Sequence, residues 1–402
     1  MSGRRVAVTG IGVVSAFGDT FGEFWTGVAQ GCSAIRPMIS VPAGSLRFTN
    51  AAEAAHFDPL KYFGEKELDF LDRFAQFAVV AAREAVRSSG LKIDAARGQR
   101  TAIVTGSSAG GQATKDEQFF NLYAANQRVS PFTIPRVMGN AGASRISQEF
   151  GISGPVYTVS TACSSANHAI GQAFWLVRSG MVDAALAGGS EAPFSLGFLK
   201  SWEAMRVVSP DTCRPFSRGR RGLILGEGAA MLVLEPLEAA RARGAMVWGE
   251  IAGFGMSSDA HHLTQPLAQG AGQAMRAALE DAGLAAEQIG YINAHGTGTV
   301  SNDATESAAI HAVFGAHARR LLVSSTKSMH GHALGAAGAL EAAATLAGLR
   351  GGIIPPTANF TLPDPGCDLD VVPNHSRAVE IECALSNSFA FGGLNAVLAF
   401  RR

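Results

Sequence analysis

The residues of this chain best suited to covalent chemistry are a cysteine, two histidines and a lysine, spread over two similar stretches of sequence. In VSTACSSANHAIG, Cys163 falls where a β-branched run gives way to a helix-forming one. A sulfur there lies at or near a helix N-terminus, where the positive end of the dipole favours thiolate and lowers the thiol pKa, as a nucleophile requires. A lone cysteine is more often inert filling; Cys32, Cys213, Cys367 and Cys383 lack this junction and take that reading. In YINAHGTGTVSND, His295 follows an apolar run directly and precedes a Gly and Thr turn, which projects its side chain over a sheet edge. His332 lies in KSMHGHALGAAGALE, five residues past Lys327, at the expected start of another helix.

These positions are tied together by an internal repeat. Residues 159–171 align without a gap on residues 323–335 and are identical at six of thirteen positions. Lys327 occupies the place of Cys163, so a pseudo-twofold arrangement brings the two junctions, and with them His332, toward one region between the halves. His168 matches His332 but lies five residues into its helix, behind the cysteine, and reads as structural. His330 has no motif of its own. His56, His261, His262, His311, His317 and His375 read mostly as surface or packing residues. Other repeated pieces are VAVTGIGVVS (residues 6–15) with WGEIAGFGMS (248–257), and AAREAVRSSGL before TAIVTGSS with AMRAALEDAGL before YINAHGTG.

The elements that must position these groups follow from the pattern. Short Val-, Ala- and Ile-rich runs bounded by Gly read as strands buried on both faces, and Ala-rich segments such as residues 74–89 and 270–282 read as helices between them. That alternation predicts an α/β protein of two pseudo-symmetric halves, with two sheets sharing a central helical layer. The helices after Cys163 and Lys327 form that layer, and Ala166, Ala169, Gly171, Gly335, Ala336, Ala337 and Gly338 allow their close approach. The charged segment EAARARGA (238–245) marks the boundary, giving halves 1–242 and 243–402.

Composition narrows the functional classes. The chain has 402 residues, 33 basic against 33 acidic, and 47% apolar residues, which describes a soluble globular protein with a large core. A net charge of zero gives no overall pull toward nucleic acid or an anionic membrane, so small or protein-borne substrates are favoured. Five scattered cysteines without CxxC spacing point to reduced thiols in a cytoplasmic protein, without a metal or redox motif. Glycines interrupt the apolar run AVTGIGVVSAF, which reads as a first buried strand and not a signal peptide. Residues 333–349 are too short, too rich in Ala and Gly, and carry Glu341, so they read as a core helix and not a membrane span. No GxG turn has the third glycine and later acid of a dinucleotide site, and no cofactor is expected.

Taken together, VAVTGIGVVSAFG, TACSSANHAIG, RPFSRGRRGLILGEGAAMLVLE, NAHGTGTVSNDATE, KSMHGHALGAAGALE and SNSFAFGGLNAVL resemble the β-ketoacyl-acyl carrier protein synthase family, in its order and along essentially the whole chain. The likeness is greatest to the synthase II branch. It implies a thiolase-like fold, a five-layered α-β-α-β-α sandwich. It implies an acyltransferase that condenses an acyl group on Cys163 with malonyl-acyl carrier protein, in fatty acid chain elongation. The backbone N–H groups of Cys163 and Phe391 form the implied oxyanion hole, and His295 and His332 the implied donors to the malonyl thioester oxygen. Lys327, partnered by Glu306 and Glu341, orients His332. Thr297, Thr299, Phe389 and Asn395 are the implied contacts to the phosphopantetheine arm. The implied assembly is a homodimer, with residues 127–140 reaching toward the partner's pocket, and a heterodimer with a related subunit as the alternative.

Departures from the family pattern surround the acyl gate. Ser217 and Arg221 stand where acids are common, Leu223 where Phe is usual, and Ala390 and Leu394 where the loop usually has Gly and Thr. Ala109 sits where Ile is frequent, implying a deeper acyl pocket. The segment GEKELDFLDRF is unusually acidic for a surface that meets an acidic carrier protein, leaving Arg128 and Arg206 as docking charges. These changes make a ketosynthase of a polyketide, aryl polyene or signal-lipid pathway the alternative to fatty acid elongation. A degradative thiolase is disfavoured by the absence of a second catalytic cysteine in SNSFAFGG. A non-catalytic chain-length factor is disfavoured by the presence of Cys163.

Overall fold

The computed structural model describes residues 3–402. In the first half, β1 (Val6–Val14), β2 (Thr101–Gly106), β3 (Val156–Val159), β4 (Ala184–Glu191) and β5 (Gly228–Pro236) lie in the order β3-β2-β4-β5-β1. In the second, β6 (Gly249–Ser258), β7 (Ile289–Asn293), β8 (Leu322–Ser324), β9 (Cys383–Ala390) and β10 (Leu394–Arg401) lie in the order β8-β7-β9-β10-β6. Counted within each half, both sheets run third, second, fourth, fifth, first, so the repeat read from the sequence is a repeat of topology. The two sheets are not separate, however. β1 and β6 pair antiparallel over Val6 with Ile251, Ala7 with Glu250 and Val8 with Gly249. Each is the edge strand of its own half, and the pairing removes what would be two open edges.

The helices used below are α1 (Arg73–Ser89), α2 (Gln112–Ala125), α3 (Ala141–Phe150), α4 (Ser165–Arg178), α5 (Leu196–Met205), α6 (Ala268–Ala282), α7 (Val300–Phe314) and α8 (Ala337–Gly351). α4 and α8 pack on each other and each touches strands of both sheets. α1 and α3 cover the outer face of the first sheet, and α6, with α7 against it, covers the second. The result is a thiolase-like sandwich of five layers. Every residue of α8 from Ala337 to Leu349 is buried. A helix enclosed on all sides has little room for long side chains, and a Cβ added at Gly338 would overlap the Asn167 side chain of α4.

The repeat is imperfect at one functional point. After β8 the chain makes a single helical turn, Lys327–His330, and breaks at Gly331, whose φ is +70°. A Cβ there would lie 2.9 Å from that of Ala52, so glycine is required on both steric and conformational grounds. His332 therefore follows one helical turn and lies two residues before the next helical stretch, the 3-10 turn Leu334–Ala336 that runs directly into α8. Its backbone N–H donates to the Ile224 carbonyl (2.7 Å), and α8 begins five residues later. No helix among the described residues is long and apolar enough to cross a membrane, and all five cysteines are free thiols.

Candidate active site

Cys163 sits on the turn between β3 and α4, two residues before the helix begins. Its neighbour Ala162 has φ +50°, a conformation that costs a residue with a Cβ and is stored where a side chain must be aimed. The backbone N–H groups of Phe391 and of Cys163 itself lie close enough to the sulfur to lower its pKa. Phe391 occupies the tip of the tight β9–β10 hairpin, which carries it across from the second half. The sulfur is enclosed, and this reverses the expected lowering of the thiol pKa. Burial pushes it up to about 12, Glu191 adds to that, and the nearby Lys327 charge with the two N–H groups pulls only part of the way back. The resting group is a thiol.

His295 and His332 line the same cleft as Cys163, with ring centroids 5.5 Å apart and planes at 85°. Both are held neutral, their pKa well below the ordinary 6.5, first by burial and then by the Lys327 charge. Neutral imidazoles can each offer one N–H to a substrate oxygen. His295 is fixed through its backbone: Glu306 accepts from the N–H groups of His295 and Gly296 (both 2.8 Å) and from the Asn387 amide (3.1 Å). Glu306 is therefore an anchor of the His295 turn and makes no ion pair with Lys327, contrary to the sequence expectation. Its carboxylate is already filled by these donors. Among the described residues Lys327 pairs with Glu341 alone, both without exposed surface. Burial raises the Glu341 pKa and the lysine charge opposes the rise.

The cleft measures about 660 Å³ and opens to solvent. Thr297, Thr299, Phe389, Phe391 and Leu223 line it, as the sequence anticipates. The hydroxyls of Thr297 and Thr299 lie 2.9 Å apart, on a turn clamped from behind by Arg220, which donates to the Thr299 and Val300 carbonyls. Four other positions fall elsewhere. Asn395 does not reach the cleft, because its amide donates to Asp259 (2.8 Å) and Ser257 (3.2 Å), across the β10–β6 ladder. Ala109 lies off the cleft, with its N–H turned to Glu191 (3.2 Å). Arg128, in the loop after α2, and Arg206, closing α5, are exposed surface residues outside the cleft.

Several contributors carry no recognisable motif. Trp202 of α5 and the loop residues His262, Leu263, Thr264, Gln265 and Pro266 line the cleft. His262 is thus no incidental surface histidine; its Nδ1 accepts from the Thr264 N–H (3.1 Å) and shapes that loop. Glu191, at the end of β4, is fully buried and accepts from Ser107, Ser108 and Ala109 and from the Gly335 N–H (3.0 Å), tying the two halves together behind Cys163. Its position after an apolar strand was the only signal available. His168 is structural, with Nδ1 shared between the Thr161 hydroxyl (3.0 Å) and the Ser164 carbonyl (3.1 Å).

Comparison with known proteins agrees with this geometry. Residues 3–240 match the family model described as "Beta-ketoacyl synthase, N-terminal domain", and residues 248–361 its C-terminal counterpart. The chain is 48% identical to Nodulation protein E of Rhizobium sp. (strain N33), over 99% of each chain. It is 40% identical to 3-oxoacyl-[acyl-carrier-protein] synthase 2 of Synechocystis sp., over 99% of this chain and 98% of that one. The solved ishigamide ketosynthase/chain length factor superposes with a TM-score of 0.94 at 38% identity, covering 99% of both chains.

Proposed function

The chain belongs to the β-ketoacyl synthase family, and we propose that it condenses an acyl group held on Cys163 with a malonyl unit held on an acyl carrier protein. In the first half-reaction the Cys163 sulfur attacks the carbonyl of an acyl-carrier thioester. A carbon–sulfur bond forms while negative charge gathers on the carbonyl oxygen, between the N–H groups of Cys163 and Phe391. Collapse breaks the bond to the carrier sulfur, which leaves with the proton Cys163 gave up. In the second half-reaction the malonyl thioester oxygen accepts hydrogen bonds from His295 and His332. Its terminal carbon–carbon bond breaks, carbon dioxide departs, and the electron pair remains as an enolate. The enolate carbon attacks the Cys163 thioester, and the Cys163 thiolate leaves and takes a proton from solvent. The product is a 3-oxoacyl group on the carrier.

The observation that carries this reading is one cleft holding a thiol met by two backbone N–H groups and two neutral, mutually perpendicular imidazoles. The Thr297 and Thr299 hydroxyls are suited to the amides of a phosphopantetheine arm, and the exposed Arg128 and Arg206 to an acidic carrier surface. Side chains and the thioester itself supply every step, without a resident cofactor. Greater identity to Nodulation protein E than to synthase 2 supports a dedicated acyl pathway over bulk fatty acid elongation. The ishigamide ketosynthase/chain length factor makes a related subunit the alternative to a second copy as partner.

Incubation with acyl-carrier protein should place an acyl mass on the peptide containing Cys163, absent in Cys163→Ser. Adding malonyl-carrier protein should then yield a 3-oxoacyl carrier. Primers of different length and unsaturation separate the two pathways. Equal turnover across saturated primers of ordinary length would favour bulk elongation, and an adduct on a residue other than Cys163 would reject the mechanism.

A further inference from the structure

The oxyanion donor on Phe391 is carried by a tip of only three residues, Phe391, Gly392 and Gly393, between β9 and β10. Both glycines have positive φ (+85° and +69°), and glycine gives a backbone little rigidity of its own. Beyond the hairpin, the tip's backbone is tied to residues 259 and 263, through Asp259 N–H to the Gly393 carbonyl (2.9 Å) and Gly392 N–H to the Leu263 carbonyl (2.7 Å). Leu263 belongs to an exposed loop. On the other side stands Trp202. Its indole stacks on the Phe391 ring, with centroids 6.2 Å apart and planes at 24°, and Phe198 meets its edge at 6.4 Å. Trp202 is held in turn by a packed cluster that includes Leu46, Phe48, Leu199 and Leu223.

We propose that Trp202 is a positioning residue for acyl transfer: by stacking on Phe391 it keeps that residue's backbone N–H directed at the Cys163 sulfur. The inference rests on the oxyanion role proposed above. A donor that must wait in place for charge has to be held by something rigid, because reorganisation at the moment of reaction cancels its benefit. α5 and its apolar cluster are the rigid body, and the aromatic stack is the link between them and a glycine tip. Stacked aromatic pairs contribute beyond the area they bury. Phenylalanine at 202 preserves a ring to stack, and alanine does not.

The test compares the wild type with Trp202→Ala, Trp202→Phe, Phe391→Ala and the Trp202→Ala/Phe391→Ala double variant. Two quantities are read: the rate of Cys163 acylation by acyl-carrier protein, and the pH profile of Cys163 alkylation by iodoacetamide. Since the Phe391 N–H lowers the thiol pKa, its loss moves the alkylation profile to higher pH. Trp202→Ala should slow acylation by about 10- to 100-fold, approaching the loss of one oxyanion donor, and shift the profile upward. Trp202→Phe should stay near wild type in both. The double variant should lose no more than the worse single one, because the two rings act as a unit.

Unchanged acylation in Trp202→Ala would overturn the inference. So would slowed acylation with an unmoved alkylation profile, which would make Trp202 only a wall for substrate. Additive losses in the double variant would do the same. If Trp202→Ala does not fold, the Phe391→Ala alkylation profile still decides: no shift there means the stack does not place the N–H. Failure of the wild type itself to acylate Cys163 would refute the mechanism and not this inference.

Discussion

Lys327 carries a charge with no exposed surface, and among the described residues the only carboxylate it pairs with is the equally buried Glu341. Removing two such charges from water costs several kcal/mol each, and their attraction offsets this only while both are present. Truncating one partner leaves the other uncompensated. Glu341→Ala should therefore lower the unfolding free energy by about 3–5 kcal/mol, measured by urea denaturation. The Lys327→Met/Glu341→Leu pair should lose clearly less than the sum of its single changes; additive losses would mean the two charges do not interact. Lys327 was legible in the sequence because the repeat sets it opposite Cys163. Its partner was only half legible, since Glu306 and Glu341 are both acids in the right motifs. Which acid reaches the lysine depends on where each helix points. Glu306 looks along α7 into the backbone N–H groups of His295 and Gly296, and sequence spacing does not show that.

At the scale of the elements, α8 shows how a helix enclosed on every side spends its glycines. Gly338 faces the Asn167 side chain of α4, whose amide donates to the Ser386 and Ala396 carbonyls and so cannot swing away freely. Gly351, at the far end of the same helix, has nothing within 4 Å of a built Cβ. Gly338→Ala should accordingly lower stability by about 1–3 kcal/mol through overpacking. Gly351→Ala should be neutral or stabilising by up to about 1 kcal/mol, from helix propensity alone. Thermal midpoints of the two variants are enough, and a Gly338→Ala protein as stable as Gly351→Ala would show that the α4–α8 contact yields. The small residues of these helices were readable as a contact between them. The break at Gly331 was not, because a glycine between two histidines gives no sign that it fits against Ala52. The loop 262–266 was missed for a similar reason: its residues are held at the cleft by contacts distant in sequence, with Asp259 accepting from both Leu267 and Asn395 and the Leu263 carbonyl accepting from Gly392.

At the scale of the whole molecule, two copies of one topology meet edge to edge, and the polar groups of the site are sealed where they meet. Sequence periodicity reveals the copies, since strands and helices recur in the same order. It does not reveal how deeply the seam is buried, and that depth sets the acid sensitivity. His295, His330 and His332 are all buried and kept neutral, with His330 pushed down to about 3 by burial and then by Lys327. An unfolded chain protonates these rings below about pH 6.5, while the folded chain leaves them neutral. The unfolded state therefore binds more protons there, and stability falls as pH drops below about 6.5. His330 suits a test because it lies outside the cleft, with Nε2 3.0 Å from the Thr326 hydroxyl and Phe24 against its ring. Between pH 7.5 and pH 5 its neutral burial accounts for about 1.36 kcal/mol per unit below 6.5, or roughly 2 kcal/mol. His330→Gln cannot take up that proton in either state. Its loss of unfolding free energy between the two pH values should be smaller than that of the wild type by roughly 2 kcal/mol, whatever the substitution costs at both. Equal losses in the two proteins would mean that His330 is protonated in the folded state and that its surroundings admit the charge.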